Sequence, residues 1–166
     1  MTFNEFALTN EPAIRLGAFV GVFALMATWE VVAPRRTPLH TRSERWAANL
    51  GLVVINTVLL RLLLPVAAVG FASLAAQRGW GLLNNIELPA WLALMLAVAA
   101  MDFAIWLQHV MVHAVPVLWR LHQVHHADPD YDVTTGARFH PIEIILSMLI
   151  KFAVIAVLGA PAAAVL

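Results

Sequence analysis

Six of the seven histidines in this 166-residue chain lie between His109 and His140, and five of them form two short patterns, His109-x3-His113 and His122-x2-His125-His126. Neutral imidazole is a strong ligand for zinc, copper and iron. On a helix, residues three or four apart project from one face, roughly 5–6 Å from each other. Each pattern therefore aims its rings at one place if its segment is helical. Five imidazoles exceed the roughly four ligands that satisfy a structural zinc, so the pattern favours a binuclear centre. The chain has no cysteine, which excludes disulfides, Cys-ligated zinc and iron–sulfur clusters and leaves metal binding to histidine and carboxylate. Taken alone, His109 and His113 read equally well as interfacial histidines at a helix end. Three further imidazoles within the same 18 residues favour metal.

The elements that must position these rings are apolar. The chain is 61% hydrophobic with a mean hydropathy of +0.81, well beyond the roughly 45–50% of soluble domains, and this marks an integral membrane protein. A formal net charge of zero and the lack of a basic run offer nothing to nucleic acid. Four segments approach or exceed the roughly 20 residues needed to cross a bilayer: Ala13 to Ala33, Ala47 to Gln77, Leu88 to Leu107, and Ile142 to Leu166. The second is overlong and is expected to break near Pro65. The predicted fold is an all-α polytopic bundle of about four transmembrane helices, one domain over residues 1–166, with a cytosolic His-bearing helical segment.

The loop Pro34 to Trp46 sets Arg35, Arg36, Arg42 and Arg45 against the single acid Glu44, and short Arg-rich loops stay on the cytoplasmic side. The third span then delivers His109 to that same side. Trp46, Trp80, Trp106 and Trp119 fall near predicted span ends, as interfacial aromatics should. Met1 to Glu11 carries acids instead of a basic leader, so the first apolar stretch is read as a retained span. Nine Arg against one Lys, with abundant Ala, fits a GC-rich bacterial source and an inner-membrane location.

Between the third and fourth spans, Val115-Pro116 should interrupt the helix, and Val117 to His126 should start a short new one. Ala127-Asp128-Pro129-Asp130 is turn chemistry, and Thr134-Thr135-Gly136 is a second flexible point before Arg138-Phe139-His140-Pro141. Asp128, Asp130 and Asp132 lack the glycine and terminal Glu of a calcium loop and are expected to form a solvated turn. Arg120 and Arg138 read as positive-inside anchors. Glu30, Asn56 and Arg61 fit packing as well as a substrate passage. Asp102 precedes His109 by two helical turns, shares its face, and either accepts that imidazole's second N–H or pairs with another polar group. His140 reads equally as a ligand or as a structural residue outside a span.

Asp102-x3-Trp106-x2-His109-x3-His113, Leu118-Trp119-Arg120-x-His122-x2-His125-His126-x-Asp128 and Thr134-Thr135-x2-Arg138-x-His140-Pro141-x-Glu143 together resemble the fatty acid hydroxylase and sterol desaturase superfamily of membrane di-iron oxidoreductases. Trp106 stands where that family usually has Tyr. The resemblance is close from Met101 to about Glu143. It implies that His109, His113, His122, His125 and His126 are ligands of two iron ions, with zinc as a possible substitute. It also implies O2-dependent hydroxylation or desaturation of a fatty acid or sterol-like membrane lipid. The chain has no flavin or dinucleotide motif, so the electrons are expected from a separate donor protein. Family members continue to a further His and a second His-x2-His-His cluster, so a sequence ending at Leu166 is read as an N-terminal fragment whose own activity is open. The alternatives are a membrane metal transporter or metal-binding protein and a catalytically inactive remnant. Transporter ligands usually sit near the bilayer midplane, and these histidines lie at a span end.

Overall fold

In lipid no water is at hand for the backbone, so each apolar stretch must satisfy its own N–H and C=O groups, which a helix does. The computed structural model describes Phe6 and residues 9–165, and among these the chain is helical without a strand. The helices are α1 (Glu11–Val32), α2 (Arg42–Leu63), α3 (Ala68–Gln77), α4 (Ala90–Ala114), α5 (Pro116–His126), α6 (Pro141–Leu158) and α7 (Ala162–Val165), with single 3₁₀ turns at Leu82–Asn84 and Thr135–Ala137. α1, the α2–α3 stretch, α4 and α6 are long and apolar enough to cross a membrane.

The expected break near Pro65 is present. Leu64 leaves helical geometry at φ −130° and ψ 75°, in keeping with the steric bias on a residue before proline, and the helix restarts at Ala68. Three boundaries differ from the sequence reading: the second helix begins at Arg42, within the expected loop, instead of at Ala47. The third span continues past Leu107 to Ala114, because nothing between Gln108 and Ala114 stops a helix, so His109 and His113 ride on its last turns. The fourth ends at Leu158 instead of running on through the apolar tail, because Gly159 takes a left-handed cap at φ 70° and Pro161 follows it.

The apolar core lies between α3, α4, α6 and α7. Ala68, Ala72 and Ala75 form a small-residue stripe on α3 that packs against α6 and α7, and Ala97 and Met101 of α4 and Ile155 of α6 complete the same core. Phe71 and Phe152 stack at 4.6 Å over the same core. Gly81 and Gly159 pass so closely that a Cβ on Gly81 would sit 2.0 Å from the Gly159 nitrogen, so no larger residue fits that crossing. This fixes one end of α6. α1 buries no residue and is held by a few contacts, notably Phe23 edge-on to Trp46 at 5.5 Å and Glu30 accepting the Val133 N–H at 2.9 Å.

Candidate metal centre

One residue separates the two helices that carry the five clustered histidines. Val115, at φ −96° and ψ 117°, both closes α4 and precedes Pro116, the first residue of α5. The reversal at Val115 folds α5 back on the end of α4. It brings the ring of His122 to 5.0 Å from His109 and 4.8 Å from His113.

A polar latch to α2 holds the segment after α5. Arg45, 8% exposed, reaches from the first turns of α2 into the 128–132 loop, where Nη1 donates to the Asp130 carbonyl at 2.7 Å and Nη2 pairs with Asp132 Oδ2 at 2.7 Å. Nη1 also lies 3.4 Å from Asp128 Oδ2. Asn49, one turn further along α2, donates to Asp128 Oδ2 at 3.0 Å and to Thr134 Oγ1 at 2.9 Å. Trp46 Nε1 donates to Asp132 Oδ2, and the Leu39 and His40 amides donate to Asp130. Asp128, Asp130 and Asp132 are therefore buried at 7–8% exposure, which corrects the expectation of a solvated turn. Buried carboxylates persist where a cation and several donors meet them. Burial disfavours the Asp128 anion, but hydrogen bonds from Asn49, the Asp130 amide and Thr135, with the Arg45 charge, hold its pKa below the usual value. Farther along the segment, Asn56 of α2 donates to the Phe139 carbonyl at 3.0 Å, and Arg138 is half-buried and donates to Asn49. The Arg-bearing loop and the histidines thus share one end of the molecule.

Within this frame His122 is the pivot. It is 1% exposed, and its Nδ1 is 2.7 Å from Glu143 Oε1 in the first turn of α6. A carboxylate accepts, so Nδ1 carries the proton and Nε2 keeps its lone pair, the orienting relay common behind metal-bound histidine. His109, His113 and His122 each offer a nitrogen within 4.8 Å of the other two. His126 Nε2 lies 3.2 Å from His122 Nε2. Two nitrogens each about 2.1 Å from one ion are separated by roughly 3–4 Å, so these residues fit a metal with small rotamer changes. His125 stacks flat on Phe139 at 4.8 Å and keeps Nδ1 buried without a hydrogen-bond partner, while its ring is 5.3 Å from His122. Burial, then the neighbouring imidazoles, lowers the pKa of His125 and of His126, which favours the neutral form a metal requires.

His140 stands apart from the imidazole contacts among the described residues. Its Nδ1 accepts the Ile142 amide at 3.1 Å and caps α6. Asp102 is exposed on α4, and no imidazole hydrogen bonds to it among the described residues. Two site neighbours were not given their roles by sequence reasoning. Glu143 sits two residues after Pro141 in the stretch that carried the family resemblance, but only folding brings it to His122. Trp119 read as an interfacial aromatic. It precedes His122 by three residues, shares its face, and packs against His113 at 5.2 Å and His126 at 5.6 Å.

Residues 94–166 match the family described as Fatty acid hydroxylase. An alkylglycerol monooxygenase of Xenopus tropicalis is 38% identical over 64 residues, which is 36% of this chain and 14% of that protein. The chain therefore matches only a small part of the relative's length. No solved structure matches.

Proposed function

From the match of residues 94–166 to the fatty acid hydroxylase family, we propose that this chain carries part of the di-iron site of an O2-dependent lipid hydroxylase or desaturase, with His109, His113, His122, His125 and His126 among the iron ligands. The observation that carries this reading is the convergence of three histidine nitrogens within 4.8 Å of one another at the end of a membrane-length helix. Iron, when bound, supplies the reductive activation of O2 for attack on an unactivated C–H bond. Hydroxylation puts one oxygen atom into the C–H bond and reduces the other to water, consuming two electrons and two protons from an external donor protein.

The chain's own residues supply position and basicity. Glu143 holds the Nδ1 proton of His122 and points Nε2 inward. Asp102 lies on the His109 face two turns away and is assigned an orienting role toward that imidazole only on a side-chain movement, since it is exposed and bonds no imidazole among the described residues. Trp119 walls the cluster on the α5 side. His140, engaged through Nδ1, retains Nε2 and is the outermost candidate ligand. With the rings at a span end, a membrane lipid can stay in the bilayer while one carbon reaches them. Arg35, Arg36, Arg42 and Arg45 favour the cytoplasmic face of a bacterial inner membrane.

The test is to purify the chain in detergent, load it with Fe(II), and measure bound iron for the native protein and His122→Ala. We expect iron to fall together with any lipid oxidation supported by an added reductase and O2. Undiminished iron in His122→Ala would remove the ligand assignment.

A further inference from the structure

A cavity of about 550 Å³ lies at the histidine-bearing end, between the end of α1, the loop into α2, and residues 130–132. Its volume lies within the range of small-molecule sites, and its lining excludes every histidine of the cluster. Met26 and Trp29 of α1 give it an apolar wall facing the membrane-spanning part of that helix, while Arg35, Arg36 and Arg42 give it cationic ones.

The charges lining it are of two kinds. Asp130 and Asp132 reach the lining but are met by Arg45, Trp46, Thr134 and the Leu39 and His40 amides, and Arg45, although its Nε makes only a 3.7 Å ion-pair contact to Asp130, has its charge balanced by the buried aspartates. Arg42 spends one N–H on the Glu30 carbonyl. Arg35 and Arg36 are exposed and have no carboxylate partner among the described residues. Glu30 accepts the Val133 amide through Oε1, but its Oε2 is buried without a donor. The remaining unmet chemistry is two to three guanidinium groups that want an anion and one carboxylate oxygen that wants an N–H. Both stand beside an apolar wall at a span end.

We propose that this cavity binds one phospholipid headgroup bearing a phosphodiester and a primary ammonium. Arg35, Arg36 and Arg42 hold the phosphate. Glu30, after a small side-chain rotation that uncovers Oε2, accepts from the ammonium, and the acyl chains run along Met26 and Trp29. A quaternary choline has no N–H to give Glu30, and a glycerol headgroup brings no cation to meet its charge. The bound headgroup would brace the 130–132 loop, which leads back through Asp128 to α5.

The test is native mass spectrometry of the delipidated full chain titrated with single lipids. A one-to-one adduct is expected with phosphatidylethanolamine, about tenfold tighter than with phosphatidylcholine or phosphatidylglycerol, the loss that one charge-assisted contact represents. Arg35→Ala with Arg36→Ala, both in an exposed loop, should weaken all three lipids about tenfold or more. Glu30→Gln should bring phosphatidylethanolamine down to the phosphatidylcholine level. An adduct unaffected by the double arginine variant, or equal affinity for the three lipids, overturns the proposal. So does displacement of the lipid by inorganic phosphate at equal concentration, because the site would then be one for free anions.

Discussion

Arg45 and His122 are both buried polar side chains, and both serve the same end of the bundle, but their surroundings have opposite character. Around Arg45 every carboxylate oxygen of Asp128, Asp130 and Asp132 accepts at least one donor or ion-pair contact, from amides, Asn49, Thr134, Thr135, Trp46 or Arg45 itself. Around His122 the needs are left open. The His109 and His113 rings lie edge-on to it at 5.0 and 4.8 Å, His126 Nε2 meets its Nε2 at 3.2 Å, His125 keeps a buried Nδ1 unpartnered, and Glu143 keeps Oε2 unpartnered. The latch also keeps Arg45 Nε and Arg138 Nε without a hydrogen bond, but these are single N–H groups of guanidiniums otherwise engaged. At His122 an unmet carboxylate oxygen and an unmet imidazole nitrogen stand beside further imidazoles, and such unmet groups cost free energy that folding alone does not explain. The closed cluster explains how the loop is held; the open one needs a further partner.

Removing the centre of the closed cluster should have the largest effect. Arg45→Met leaves three buried carboxylates without their cation, and breaking buried pairs of this kind costs roughly 3–5 kcal/mol. We expect a large fall in the thermal midpoint in detergent and a loss of metal binding with it, because the loop that positions α5 is released. If Arg45→Met unfolds at the native temperature, the latch is not what holds this end together.

Glu143→Gln acts on the open cluster and should separate the two roles. The amide can keep a hydrogen bond to His122 but no longer strengthens its basicity, and loss of such an orienting carboxylate lowers metal affinity by roughly 10–100-fold. The thermal midpoint of the metal-free protein should change little. Iron or zinc titration of the two proteins measures the difference. Unchanged affinity would mean that Glu143 only fills space beside His122.

How legible these regions were in the sequence follows the same division. Hydropathy alone placed the membrane helices, and Pro65 and Pro116 marked two true breaks, because proline acts through local sterics. The histidine spacing foretold His109 near His113 and His122 near His126, both within single helices. The reading of all five as one centre also expected the two groups to meet across the Val115-Pro116 break, and the reversal at Val115 brings His122 against His109 and His113. The latch was missed because its halves are 79 to 91 residues apart in sequence. Asp128, Asp130 and Asp132 look like a solvated turn until Arg45 and Asn49 arrive from α2. Arg45 and Asn49 at i,i+4, where the Arg-rich loop runs into the apolar span, were the available signal, since they share one helix face at the span's entrance. The end of α6 was misplaced because Gly159 was read as part of an apolar run, whereas its left-handed φ makes it a stop.

Acid should take the two clusters apart in order, with the smallest effect of the three. His125 and His126 have pKa values below the ordinary 6.5, so near that pH the unfolded chain binds more protons than the folded one. Their contribution is complete above about pH 6.5 and declines as pH falls toward their folded values, where the loss levels off. Asp130 behaves differently. The Leu39 amide is the main cause of its lowered pKa, burial opposes it, and the His40 amide and Arg45 add to it, so its value lies below the ordinary 3.8. Its contribution persists down to about pH 3.8 and disappears only as pH drops through that lower value. Thermal unfolding of the metal-free protein between pH 7.5 and 3 should therefore show a shallow first loss beginning just below 6.5 and a separate second one below 3.8. His126→Asn should shrink the first step, leaving the part due to His125, and Asp130→Asn should shrink the second, leaving the part due to Asp128. A single transition that both variants shift together would show that the closed and open clusters titrate as one unit.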